Sequence, residues 1–190
     1  MKKAITALSL ATTLLIPGIS HTADLSYDFV EIKYSSKNLD DQADDFTGFD
    51  IYLNKSISDN IYLLFDYGIG SVNTSQGDLD ASGFSVGAGY HSPINNKTDL
   101  YAEIGFLESE AELAGRSEDA DGFGIGAGVR SKLTDKIEGL AFLNYTDIED
   151  ETDTSIDIQL AFEFAQNLQI IGGIDFENER TSNVGLRLNF

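Results

Sequence analysis

The chain has 190 residues, with 32 Asp plus Glu against 12 Lys plus Arg, a net charge of -20 at pH 7, and neither Cys nor Trp. That length accommodates one domain, the charge repels phosphate backbones and leaves no basic stripe for nucleic acid, and the absence of Cys removes disulfides, thiolate catalysis and thiolate metal sites. At 42% hydrophobic the sequence is too apolar for a disordered acidic chain.

Met1-Lys2-Lys3 is a short positive start, and Ala4 to Ile19 is an apolar stretch broken at Pro17-Gly18, the pattern of a secretory signal peptide. Ser20 and Ala23 both qualify as the last residue removed. With Asp24 as the mature start, residues 1–23 are the signal and 24–190 the exported domain, whose charge is about -22 once Lys2 and Lys3 are gone. Beyond the signal the longest apolar run is Ile61 to Phe65, far short of the roughly 20 residues that a membrane-spanning helix needs. An exported chain without a helical span is either soluble or a β-barrel.

The rest of the chain alternates, with every second residue apolar in segments bounded by turn residues, which is the signature of strands with one apolar face. The first segment, residues 25 to 34, has two possible phases: Val30, Ile32 and Tyr34 compete with Leu25, Tyr27 and Phe29. Then come Phe49, Ile51, Leu53; Ile61, Leu63, Phe65, Tyr67, Ile69; Phe84, Val86, Ala88, Tyr90; Leu100, Ala102, Ile104, Phe106; and Phe123, Ile125, Ala127, Val129. In residues 137 to 147 the apolar face is read as Ile137, Ala141, Leu143 and Tyr145, which turns Glu138 and Asn144 the other way. Three more follow: Ile156, Ile158, Leu160, Phe162, Phe164; Leu168, Ile170, Ile174, Phe176; and Val184, Leu186, Leu188, Phe190. The count is ten strands.

Connections alternate as well. Short, nearly neutral turns fall at Lys55 to Asn60, Ser92 to Thr98, Thr134 to Lys136 and Gln166-Asn167, and they take turns with longer acidic segments at 35 to 45, 73 to 80, 108 to 121, 147 to 154 and 177 to 181. The five long segments together carry about -16 of the charge, and all belong at one end of an up-and-down sheet. A soluble sandwich gives no reason for this two-ended asymmetry, whereas a membrane barrel with short periplasmic turns and larger external loops does. Hydrocarbon offers backbone groups no partners, so a sheet crosses it only when closed. The reading is therefore all-β: a closed antiparallel up-and-down transmembrane β-barrel, with ten strands favoured and eight the alternative.

The closing residues Val184-Gly185-Leu186-Arg187-Leu188-Asn189-Phe190 resemble the last strand of Gram-negative outer-membrane barrels, with a terminal Phe and apolar residues at alternate positions before it. Asp24 to Glu31 and the Asp121-Gly122-Phe123-Gly124 run look like a family of small outer-membrane β-barrel proteins of unassigned function. The resemblance implies export and an outer-membrane location among lipid and lipopolysaccharide. It also implies assembly by the barrel-assembly machinery, with Val184, Leu186, Leu188 and Phe190 as the signal recognised. It brings no catalytic residue. Ten segments depart from eight-stranded relatives of the OmpA and OmpX type.

With the apolar residues outward, Gly122, Gly124, Gly126 and Gly128, together with Ser85, Gly87 and Gly89, point into the lumen and make room for Tyr62, Leu64, Tyr101, Leu107, Leu140 and Phe142. Counted from the short-turn end, Glu31, Asp66, Glu103, Arg130, Glu138, Glu163 and Arg187 fall within one inward layer. Two guanidiniums among carboxylates in a confined space form bidentate pairs. The layer then either fills the barrel or gates a narrow, cation-favouring path. Enzymatic function is not expected: the histidines are His21 and His91, the second beside a short turn away from the acidic end, so no Ser-His or Asp-His arrangement is anticipated. Neither Asp40, Asp41, Asp44, Asp45 nor Glu149, Asp150, Glu151, Asp153 has the spacing of a dedicated calcium loop, so no metal site or cofactor is expected. The acidic segments could instead serve as a surface for a basic partner or shared divalent cations.

Overall fold

The computed structural model describes residues 25–38, 44–75, 77–149, 151–177 and 179–190; the expected signal peptide, with Asp40, Asp41 and Asp150, lies outside them. Ten strands follow one another: β1 (Phe29–Lys37), β2 (Phe46–Ser56), β3 (Ile61–Thr74), β4 (Gly77–Asn95), β5 (Thr98–Leu113), β6 (Arg116–Lys132), β7 (Ile137–Ile148), β8 (Glu151–Ala165), β9 (Leu168–Phe176) and β10 (Arg180–Asn189). Each pairs antiparallel with its neighbours in sequence, and β10 closes onto β1 with Phe29 opposite Asn189 and Lys37 opposite Thr181. The barrel is closed and has ten strands.

Its surface is inverted relative to a soluble protein. Among the described residues thirty-three large apolar side chains are exposed while nine hydrophobic residues are buried, a distribution that water does not tolerate and a bilayer requires. Every strand with a clear period presents the expected face: Ile61, Leu63, Phe65, Tyr67 and Ile69 on β3, for example, are all exposed. The two-phase first segment is resolved with Ile32 and Tyr34 outward and Tyr27, Phe29 and Glu31 buried. On β7, Leu143 and Tyr145 face out while Leu140 and Phe142 pack against the buried cluster inside.

Small inward residues sit where large ones need space. A Cβ at Gly89 would run into the Tyr62 ring, and one at Gly126 or Gly128 would run into Phe142. Tyr101 stacks on Phe142 with centroids 5.0 Å apart, so glycines on β4 and β6 frame an aromatic layer contributed by β3, β5 and β7.

Three of the five long acidic connections are mostly strand. β5 and β6 run 16 and 17 residues, well past the 9 to 11 that cross the hydrocarbon, and meet at Ala114-Gly115, whose φ values of 51° and 77° suit a two-residue hairpin turn. The expected loop at 108 to 121 is thus a ladder projecting up to about 20 Å beyond the span. Segments 73 to 80 and 147 to 154 likewise lie mostly on strands. Polar sequence suggested loops, but ladder hydrogen bonds satisfy the backbone and water screens the side chains.

Candidate functional site in the barrel lumen

At the short-turn end the chain enters the barrel instead of running past it. Leu25 and Tyr27, ahead of β1, are buried in one cluster with Tyr62, Leu64 and Tyr101. The Tyr27 ring stacks on His91 with centroids 4.0 Å apart and on Tyr62 at 4.8 Å. Arg130 Nη1 donates to the Ser26 carbonyl at 2.6 Å, and its guanidinium lies 5.2 Å from the centroid of Tyr27. A hydrogen bond to the backbone and face-on aromatic contacts together hold this segment across the lumen as a stopper.

Asp28 anchors the outer side of the stopper. Its carboxylate accepts the Ser56 backbone N–H at 2.6 Å and Lys55 Nζ at 3.1 Å. Partial desolvation pushes the carboxyl pKa upward, but these two donors outweigh it and hold the group below its ordinary value.

Above the stopper lies an ion-pair network. Arg187 Nε donates to Glu31 Oε1 at 2.6 Å, Arg130 Nη2 to Glu138 Oε2 at 2.6 Å, and Arg187 Nη1 reaches the same Glu138 oxygen at 3.5 Å. Gln169 joins the pairs, donating to Glu138 Oε1 at 3.1 Å and accepting from Arg187. Phe29 lies under both guanidiniums, 4.5 Å from Arg187 and 5.5 Å from Arg130. Buried charges cost several kcal/mol each unless paired; here each guanidinium has a carboxylate and an aromatic face.

The network takes in four of the seven charged residues placed in one layer by sequence: Glu31, Arg130, Glu138 and Arg187. Glu103 instead accepts hydroxyls from Tyr62 at 2.7 Å and Tyr52 at 3.4 Å. Asp66 lines the cavity above without an ion-pair partner within 4 Å, and Glu163 sits beside the register shift between β8 and β9, also unpaired among the described residues. Strand tilt explains the split, because residues equally far from a turn on different strands are not at equal depth. Gln169, Phe29 and the stopper were not anticipated. Gln169 is the inward residue next to Arg187 in the register, a neighbour that strand phase and pairing together identify.

One expectation about histidine is corrected. His91 Nδ1 lies 3.0 Å from Asp99 Oδ2, so an Asp-His pair does exist at the short-turn end. The register places Tyr101 opposite His91 and Pro93 opposite Asp99, so the pair is diagonal across β4 and β5 and invisible to local spacing. Tyr27 covers the imidazole, and among the described residues no hydroxyl is hydrogen-bonded to its other nitrogen.

Above the network the lumen opens into a cavity of about 710 Å³ that reaches Lys37, Glu177 and Thr181 at the far rim. Eight carboxylates and four cationic side chains line it. Among the described residues no group of three or more His, Asp or Glu is close enough to hold a metal ion.

An apolar outer belt, a closed ladder and a charged, partly filled interior define a transmembrane β-barrel of the outer-membrane class. The chain belongs to the outer membrane protein beta-barrel domain family, whose model matches residues 11–190, and membership implies an outer-membrane location. Comparison with curated proteins finds no match. Among solved structures, the chain is similar to the translocator domain of autotransporter NalP from Neisseria meningitidis, with a TM-score of 0.56, 13% identity, and 85% of this chain and 87% of that one covered. It is also similar to the KdgM porin, with a TM-score of 0.52, 10% identity, and 85% and 99% covered. At these identities the likeness establishes the fold.

Proposed function

We propose that this protein is a sealed structural barrel of the outer membrane, closed at its periplasmic end by its own N-terminal residues. The observation that carries the reading is Tyr27: buried to 4% exposure, stacked on His91 and Tyr62, in a segment whose backbone is gripped by Arg130. The Arg130–Glu138 and Arg187–Glu31 pairs form a second barrier above it. Export by the cleaved segment 1–23 and insertion beside lipopolysaccharide belong to the same reading. So does recognition of Val184, Leu186, Leu188 and Phe190, all outward on or just past β10, by the assembly machinery.

Single-channel recording in planar bilayers tests it. Refolded wild type should be silent, while Tyr27→Ala and Arg130→Ala, each of which opens the stopper, should conduct small cation-selective currents. A steady current through wild type overturns the sealed reading in favour of a narrow channel.

A second reading rests on the projecting hairpins. Asp80 stands opposite Glu112, Glu108 opposite Asp121 and Glu110 opposite Asp119, and like charges directly across strands are destabilising. A basic partner on this face would relieve that repulsion. Removing residues 109–120 with a short turn in their place should leave the barrel folded and abolish such binding.

A further inference from the structure

The wall of the cavity made by β8, β9 and β10 is rich in hydrogen-bond acceptors and poor in cations. Asp157 on β8 stands directly opposite Asp175 on β9, both on the inward face and both lining the cavity. No lysine or arginine lies within 4 Å of either among the described residues: Lys33, which shares this cavity, is drawn to Glu31 at 3.7 Å instead. Asp157 Oδ1 and Asn183 Oδ1 are buried without a hydrogen-bond partner.

Gln159, the next inward residue on β8, is 5% exposed, lines the cavity, and makes no side-chain hydrogen bond among the described residues. Gly173 sits directly between Gln159 and Asn183 in the register, so a position with no side chain is flanked by two amides and lies two residues from Asp175. Buried amides and carboxylates in native proteins find partners, and opposed carboxylates in a confined space repel unless a cation lies between them. The wall is a niche whose acceptors outnumber its donors: the Ser155 hydroxyl serves Asp175, and Asp157, Gln159 and the Asn183 oxygen are left over.

We propose that this niche binds a small organic cation bearing primary amines, of the polyamine class, entering from the external rim. An ammonium supplies three donors and a positive charge, which answers two carboxylates and the amide oxygens at once. Among the described residues no three carboxylates stand close enough together to hold one metal ion, whereas a flexible chain with several amines spans wider spacings. Asp175, Thr181 and Glu177 lead from the niche to the rim, where Glu177 already accepts from Lys37 Nζ at 2.8 Å, so the acceptors left for an entering amine lie at the niche itself. The stopper bounds the cavity from below, but binding does not depend on the barrel being sealed.

Calorimetric titration of spermidine into the refolded protein in detergent at low ionic strength tests the proposal. Saturable one-site binding is expected, with affinity falling by about tenfold or more in Asp157→Asn/Asp175→Asn. It should be unchanged in Glu110→Gln/Glu112→Gln, which removes the same charge from the hairpin surface. Asn183→Leu, which keeps the charge and removes an amide, should also weaken binding. Equal loss in the niche and hairpin variants, or no saturation, overturns the proposal as diffuse attraction to an acidic surface. Magnesium competing for the same carboxylates at equal concentration overturns the organic-cation assignment.

Discussion

Arg187 on β10 and Glu31 on β1 stand directly opposite each other at the seam where the last strand meets the first, and Arg187 Nε donates to Glu31 Oε1 at 2.6 Å. The residue that closes the sheet therefore also carries the charge that closes the lumen. Arg187→Ala leaves Glu31 buried with Lys33 at 3.7 Å as its nearest ion-pair partner and without its hydrogen-bonded guanidinium, and breaking a buried pair in this way costs about 3–5 kcal/mol. Urea unfolding in lipid vesicles should show a correspondingly lower midpoint, whereas Arg187→Met with Glu31→Met should recover much of the loss.

The aromatic layer gives a second expectation. A methyl at Gly126 meets the Phe142 ring, and overpacking of this kind costs about 1–3 kcal/mol. Gly126→Ala should lower the folded yield, and adding Phe142→Leu should restore it. If Gly126→Ala folds as well as wild type, the lumen is looser than these contacts describe.

Asp28 sets a pH dependence. Its carboxyl is held below its ordinary value by Ser56 and Lys55 in the folded barrel, so the unfolded chain binds that proton more readily. The contribution to stability is then fully present above the ordinary carboxylate pKa, near 4, and is lost as pH falls through the lower folded value. Unfolding midpoints measured from pH 7 to pH 3 should fall more for wild type than for Asp28→Asn.

Most of the fold was legible because a membrane barrel writes its inside and outside into alternate residues. Ile156, Ile158, Leu160, Phe162 and Phe164 can face lipid only if Asp157, Gln159, Ala161 and Glu163 face in, and the structure places them so. Where both phases are apolar the code fails, as at Leu25, Tyr27 and Phe29, all buried in the lumen. The projecting hairpins were hidden for the opposite reason: above the hydrocarbon, neither face of β5 or β6 needs to be apolar, so Glu108 to Glu112 read as loop. Within the lumen, charge type was legible but depth was not. The Arg130–Glu138 pair depends on tilt and register across β6 and β7, which place Lys132 opposite Glu138 and bring Arg130 to it diagonally.

The stopper is the centre of the account, and the absence of native Cys makes it directly measurable. Leu25→Cys places a single thiol at a position only 7% exposed. The account predicts that a water-soluble thiol reagent modifies it at least about a hundredfold more slowly in the folded barrel than in urea, a ratio that reports how seldom the segment leaves its site. Equal rates in the two states would place residue 25 outside the lumen and contradict the sealed barrel.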